Sequence, residues 1–177
     1  MQNVEFKAEV RNLEAARRQC SLVGAAKSGT FAQIDTYFRV ADGRLKRRET
    51  PGKPAEWIFY QRPDTIAART SRYTLLSDEQ ARVRYGSGTL IPWKVVRKMR
   101  ELWLLDNVRI HLDQVEDVGN FIEFEAVVSA RHDLNECRTM VLHLREQFEP
   151  ILGEPVSGSY EALVQEVSEP ERERRMP

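Results

Sequence analysis

The sequence predicts an α+β fold of about eight antiparallel strands with three or four helices. Three observations predict it. Several segments alternate apolar and polar residues with period two, as VEFKAEV does at 4–10; two long stretches, one toward each end, repeat apolar residues at helical spacing; and short turn sequences separate the β-rich segments.

Taken in order, Val4, Phe6, Ala8 and Val10 give the first strand one apolar face and leave Glu5, Lys7 and Glu9 on the other. Asn12 can cap a helix in which Leu13, Ala16, Cys20 and Val23 share a side, with Gly24 as its natural stop. FAQIDTYFRV is a strand that turns at Ala41, Asp42 and Gly43 into RLKRRET, forming a hairpin. Trp57, Ile58, Phe59 and Tyr60, bounded by Pro54 and Pro63, make the next strand, and SRYTLL continues the β character. SDEQARVRY reads as a short helix capped by Ser77 and closed at Gly86. From Val95, the segments VVRKMRELWLL, NVRIHLDQV and NFIEFEAVV form a meander joined at DN and EDVG. Asp133 opens a second long helix with Leu134, Cys137, Val141, Leu144 and Phe148 inward, and Pro150 ends it. SGSYEALVQEV completes the tally as a short helix capped by Ser159, with Tyr160, Leu163, Val164 and Val167 on its inner side.

At 177 residues the chain can bury a sizeable single core; it divides into one domain over 1–167 and a disordered, charged tail, SEPERERRMP, over 168–177. The formal net charge is +0, so no global field draws the protein to nucleic acid or to a membrane surface, and neither is expected as a partner. No N-terminal apolar run resembles a signal peptide, and no stretch approaches the ~20 apolar residues of a membrane span. Cys20 and Cys137 lack metal-ligand spacing to another Cys or a His and read as reduced core thiols, which makes a cytoplasmic location the expectation.

Charged residues make up 31% of the chain, above the roughly 25% that is usual, and their placement is informative. Alternate residues of a strand share a face. Sorted this way, the charges co-segregate: Glu5, Lys7 and Glu9; Arg44, Lys46 and Arg48; Lys98 and Arg100; Arg109, His111 and Asp113; Glu123 and Glu125. For any one strand, a face wetted by solvent is sufficient explanation. Across five strands the faces differ in kind, three being led by basic residues and two by Glu, whereas an open surface mixes both signs within each strand. Closed into a barrel of about eight strands, such faces would line a lumen just wide enough for side chains or one small ligand. Arg and Lys there would contact phosphoryl oxygens, and the clustered carboxylates would call for a hard divalent cation, Mg²⁺ or Mn²⁺.

These residues resemble the CYTH superfamily, the triphosphate tunnel metalloenzymes, and most of all its bacterial class IV adenylate cyclase-like branch. The resemblance runs from Asn3 to Val164. The family's ExExK signature falls on Asn3, Val4, Glu5, Phe6 and Lys7, with Asn in place of the first Glu. DTYF (35–38), GRLKRRE (43–49), YQRPD (60–64), SRY (71–73), VVRKMRELW (95–103), IHLDQVEDVGNFIEFE (110–125) and GSYEALV (158–164) follow in the family's order.

The resemblance implies a closed antiparallel eight-stranded β-barrel, a tunnel with flanking helices. It implies that Glu5, Asp113, Glu123 and Glu125 hold the metal, Mg²⁺ or Mn²⁺. Lys7, Lys46, Arg48, Arg62, Arg72, Lys98 and Arg100 would bind the triphosphate, with Lys7 and Arg100 in the catalytic role; Gln61 competes with Arg62 for the inward position. The implied reaction is conversion of ATP to cyclic AMP and pyrophosphate, with hydrolysis of inorganic, thiamine or nucleoside triphosphate as the alternative and a non-catalytic triphosphate-binding module as a third. A homodimer is also compatible with it. Tyr37, Trp57 and Tyr73 are candidates to flank a nucleobase, against the commoner role of strand aromatics in a core. His111 reads as a hydrogen-bonded lumen residue, and His132 and His143 as helix-surface positions.

Overall fold

A computed structural model describes residues 1–86, 88 and 90–164. The tail expected at 168–177, the end of the domain at 165–167 and the inward role expected for Val167 lie outside the described residues. The elements are β1 (Gln2–Val10), α1 (Leu13–Leu22), β2 (Ala26–Phe38), β3 (Arg44–Glu49), β4 (Glu56–Gln61), β5 (Arg69–Leu76), α2 (Asp78–Tyr85), β6 (Pro92–Leu105), β7 (Val108–Val115), β8 (Gly119–Val127), α3 (Leu134–Phe148) and β9 (Leu152–Pro155).

Eight antiparallel strands close into a barrel in the order β5-β4-β3-β2-β6-β7-β8-β1, with β1 pairing β5 to complete the ring. The closing strand is the one that opens the sequence. One edge of β1 pairs β8 from Asn3 to Glu9, while its other edge is divided, Gln2–Glu5 going to β5 and Ala8 and Val10 to β9. The short strand β9 has no signature in the sequence, because LGEP is brief, carries Gly and Pro and shows no alternation.

Local chemistry sets the ends of the elements. Asn12 accepts from the Ala15 amide, and both Ser77 with Gln80 and Asp133 with Glu136 form reciprocal capping boxes. Gly43 turns β2 into β3 at φ +71°, where a Cβ would meet the Tyr60 carbonyl oxygen at 2.8 Å. The fourth expected helix is a single 3-10 turn, Tyr160–Ala162. Ser159 does not cap it; its hydroxyl is engaged by Tyr60 and Arg62 inside the barrel, and Leu163 is 45% exposed rather than inward.

The main core lies outside the barrel wall. Val4, Phe6 and Ala8 of β1, Ile110 and Leu112 of β7, and Ile122 and Phe124 of β8 point outward and are covered by Ala16 and Cys20 of α1 and by Cys137, Val141, Leu144 and Phe148 of α3. Both cysteines are free thiols within this layer, and burial pushes that of Cys20 up to about 12. A smaller cluster of Tyr37, Val96, Val115, Phe121 and Tyr160 fills one end of the barrel. Period two therefore directs the charged faces inward.

Phe124 joins the two helical and strand layers, with ring centroids 6.1 Å from Phe6 and 5.0 Å from Phe148. Phe124→Ala should lower unfolding free energy by about 3–5 kcal/mol in chemical denaturation, with an unchanged far-ultraviolet circular dichroism spectrum.

Candidate functional site

The lumen is a cavity of about 520 Å³ lined by residues from every barrel strand. Lys7, Lys46, Arg48, Arg62, Lys98, Arg100, Glu5, Glu123 and Glu125 all reach it, together with Asn3, His111, Tyr37, Tyr60, Tyr73, Ser159 and Tyr160. A second hollow, of about 880 Å³, lies beside the 50–55 loop between Ile34, Arg97 and Met99; of the expected site residues only Lys98 touches it.

Strand register assembles the charges. Lys7 stands directly opposite Glu123 across β1 and β8, and their charged atoms lie 3.3 Å apart. Arg100 stands opposite Asp113 across β6 and β7 and donates Nε at 2.7 Å to one oxygen and an amine at 2.5 Å to the other, a fork-to-fork pair. The same Arg100 amine reaches Glu123 at 3.2 Å. Glu123 also meets His111 Nδ1 at 3.2 Å, and Glu5 meets Arg62 and Arg69 at 3.2 and 3.0 Å. Burial pushes the Glu123 carboxyl upward, but Lys7, His111 and Arg100 outweigh it and hold it well below the usual carboxylate range. Burial and the Arg100 charge together keep His111 below its ordinary value, a hydrogen-bonded lumen residue as expected.

Two expected site residues fall elsewhere. Arg72 is exposed on the outer face of β5, because Ser71 and Tyr73 take the lumen side. Its place is filled by Arg69, 2% exposed, which pairs with Glu5 and donates to the carbonyls of Thr65 and Val156. Asp113 is fully enclosed and its oxygens are taken by Arg100 and by the Tyr160 hydroxyl at 2.8 Å, so it orients the arginine instead of facing a ligand. Arg62 points inward and Gln61 is exposed. Trp57 also stands outside, donating to Asp78 and packing on Phe38, whereas Tyr37 and Tyr73 line the lumen.

The sequence reading missed Asp35. It lies at 0% exposure on β2, bonded to Lys46, Arg48 and Lys98. Its signal is present in DTYF: Asp35 shares a strand face with Tyr37, opposite two basic strands.

The two ends of the lumen differ. One is stopped by Tyr160, whose ring lies 4.0 Å below the Lys7 ammonium and 5.2 Å from that of Lys98. Toward the other, Phe31, Ile58, Tyr73, Leu75 and Leu102 line the lumen together with Lys53, Glu56 and Arg109, the Lys53 ammonium lying 4.2 Å over the Phe31 ring. Phe31 is four residues from Asp35 along β2, or about 13 Å.

The divalent cation implied by the resemblance is tested by the donors present. Glu5 and Glu125 are directly opposed across β1 and β8, where like charges repel. Beside them the Asn3 amide nitrogen donates to Glu125, while its buried Oδ1 has no hydrogen-bond partner. An all-oxygen donor set containing an orphaned oxygen and an opposed carboxylate pair fits a hard cation. Among the described residues no three carboxylate, imidazole or thiol groups converge as a ready-made metal cluster; the carboxylates turn to internal cations.

The family model described as CYTH domain matches residues 1–160. Among solved structures, the PH1012 protein of Pyrococcus horikoshii aligns with a TM-score of 0.74 at 21% identity, covering 92% of this chain and 99% of that one. A Vibrio parahaemolyticus protein provisionally named an adenylate cyclase aligns at 0.70 and 19% identity, covering 91% and 96%. Pct1 RNA triphosphatase of S. pombe, in complex with the Spt5 CTD, aligns at 0.54 and 9% identity, covering 85% and 80%. At these identities the likeness establishes the fold. No curated protein matches the sequence. No helix among the described residues is long and apolar enough to cross a membrane.

Asp35, Asp113 and Glu123 are all held below their ordinary values, so the folded state binds fewer protons than the unfolded chain just below pH ~4. Their contribution to stability is present above that pH and is lost as pH falls through the folded values. Urea midpoints should therefore fall steadily between about pH 4 and 2, and Asp113→Asn should flatten part of that slope.

Proposed function

The chain belongs to the CYTH domain family, and from that premise we propose that it is a metal-dependent enzyme acting on a triphosphate in its lumen, converting ATP to cyclic AMP and pyrophosphate. The observation that carries this reading is the convergence of Lys7, Lys46, Arg48, Arg62, Lys98 and Arg100 on one cavity that also holds Glu5, Glu123 and Glu125. A polyanion with its own cation is the ligand that satisfies both signs.

Lys46, Arg48 and Lys98 would grip the phosphoryl oxygens, the arginine in bidentate fashion. Lys7 and Arg100 both reach Glu123 and would stabilise charge as it develops on the oxygens of the attacked phosphorus. Asp113 fixes the direction of the Arg100 fork before substrate arrives. Glu5, Glu123 and Glu125 would hold the cation, which when bound neutralises phosphate charge and polarises the P–O bonds. The side chains of Phe31, Ile58, Leu75 and Leu102 at the end away from Tyr160 offer apolar contact, which supports an organic triphosphate over an inorganic one. In the cyclase reaction the ribose 3′-hydroxyl loses its proton and bonds to the α-phosphorus as the bond to the pyrophosphate oxygen breaks.

Purified protein incubated with ATP, inorganic triphosphate and thiamine triphosphate, with Mg²⁺ or Mn²⁺, should yield cyclic AMP and pyrophosphate from ATP alone. Release of orthophosphate would replace this reading with a triphosphatase, in which water attacks the terminal phosphorus. Saturable binding with no product would make the lumen a receptor. Glu123→Gln combined with Glu125→Gln should abolish metal-dependent turnover while leaving the circular dichroism spectrum unchanged; undiminished turnover would remove these residues from the metal site.

Asn3→Glu sets a third carboxylate beside Glu5 and Glu125 and deletes the donor to Glu125. Without metal it should cost about 1–3 kcal/mol of stability, and Mn²⁺ should restore most of that loss. A loss of equal size with and without Mn²⁺ would speak against the assigned carboxylates.

A further inference from the structure

Asp35 and Asp113 are the lumen-wall carboxylates with 0% exposure. Asp113 orients Arg100; nothing above assigns a role to Asp35. Its Oδ2 accepts from Lys46 Nζ at 3.0 Å and from Lys98 Nζ at 3.2 Å, and Arg48 spans both oxygens at 2.7 and 2.8 Å. These cations come from the two strands that flank β2, with Arg48 directly opposite on β3 and Val96 on β6. All three also line the lumen. One carboxylate thus gathers the cations of two neighbouring strands behind the wall they present.

Three like charges on one wall repel, and burial disfavours a charged lysine, whereas an arginine stays charged. A neutral amine no longer attracts phosphate. The groups that bear most strongly on the two lysines come from β2, β3, β4, β6, β7 and the segment after β9. Lys46 meets Asp35, Arg48, Arg100 and the rings of Tyr37 and Tyr60; Lys98 meets Asp35, Arg48, Arg100, Asp113 and the ring of Tyr160. Burial pushes Lys46 down, against the pull of Asp35, to about 8, and burial with Arg100 holds Lys98 well below the ordinary lysine range. Asp35 is the charge that most strongly opposes the fall at both.

Resting on the triphosphate reading of the lumen, we propose that Asp35 is a positioning residue that keeps Lys46 and Lys98 as ammonium ions aimed at the phosphates and so sets the upper pH limit of the grip. Its action passes through the lysines, since its own oxygens are turned away from the ligand by the bonds they accept.

The sign follows from the lysines. Each is charged below its folded pKa and neutral above it, so affinity for a polyanion falls as pH rises; removing the Asp35 charge moves that fall to lower pH. Calorimetric titration of inorganic triphosphate into wild type and Asp35→Asn, without divalent metal, tests this at pH 6 and pH 8. The ratio of the two dissociation constants at each pH cancels the protonation of the ligand. It should be near one at pH 6 and at least ~10 at pH 8. In the Lys46→Arg, Lys98→Arg background the ratio should no longer change with pH, because guanidinium does not titrate there. A ratio that is the same at both pH values overturns the proposal, since loss of a merely structural residue weakens binding at both. Should Asp35→Asn fail to fold, Lys46→Arg with Lys98→Arg in the wild-type chain decides: affinity held at pH 9 where the wild type weakens supports the proposal, and a parallel decline overturns it. Wild-type protein that binds no triphosphate at either pH overturns the triphosphate reading itself, a failure distinct from an unchanging ratio.

Discussion

A charge taken out of water has to meet an opposite charge, and a closed barrel with polar inner faces takes many out of water together. That constraint governs this protein. Helices α1 and α3 cover the outward faces of β1, β7 and β8, so the apolar half of each of these strands is committed to the outside. The charged half is committed to the lumen by the same two-residue period. Folding is consistent with this only because the register sets Lys7 against Glu123, Glu5 against Arg69 and Arg100 against Asp113. A slip of one residue in any of these pairs would turn charge into the helix-packed layer and apolar groups into the lumen.

Much of this was legible in the sequence because both halves of the pattern are strong where they occur together. VEFKAEV and FIEFEAVV alternate without interruption, and the helices carry capping boxes at Ser77 and Asp133 that mark their starts. Legibility failed where one half of the pattern was missing. Asp35 is a lone charge on a face otherwise made of Phe31, Gln33 and Tyr37, so parity alone did not class that face with the charged ones. In β5 the apolar alternation is weak, and Arg69 and Arg72 cannot be ranked without the pairing to β1 that makes Arg69 the inward one. Ser159 has the identity and position of a helix cap, but tertiary partners, Tyr60 and Arg62, claim its hydroxyl.

The C-terminal segment gives the lumen a direction. Beyond β9, Ser159 and Tyr160 insert among residues of β4, β6, β7 and β8 and stop one end, while Phe31, Leu75 and Leu102 add apolar surface to the other, beside Lys53 and Arg109. On the proposed reading, a ligand with a polyanionic part and an organic part would enter anion first, with its organic group left beside Phe31, Leu75 and Leu102. The stop also adds two cation–π contacts, since Tyr160 lies beneath both Lys7 and Lys98.

Internal pairing and ligand binding are alternatives for the same side chains. Within the lumen Lys7 and Arg100 neutralise Glu123, and Arg62 and Arg69 neutralise Glu5. On the proposed reading, a triphosphate entering with a divalent cation would exchange partners, cation to phosphate and carboxylate to metal, so that no buried charge would be left alone at the start or the end. Asp35 and Asp113 stand outside the exchange. Their oxygens are bonded to lysine and arginine, and would hold the direction of those cations while the other contacts change. Burial thus divides the lumen carboxylates: Asp35 and Asp113 are wholly enclosed and committed to their cations, whereas Glu123 and Glu125 line the cavity, where the proposed reading would turn them to a metal.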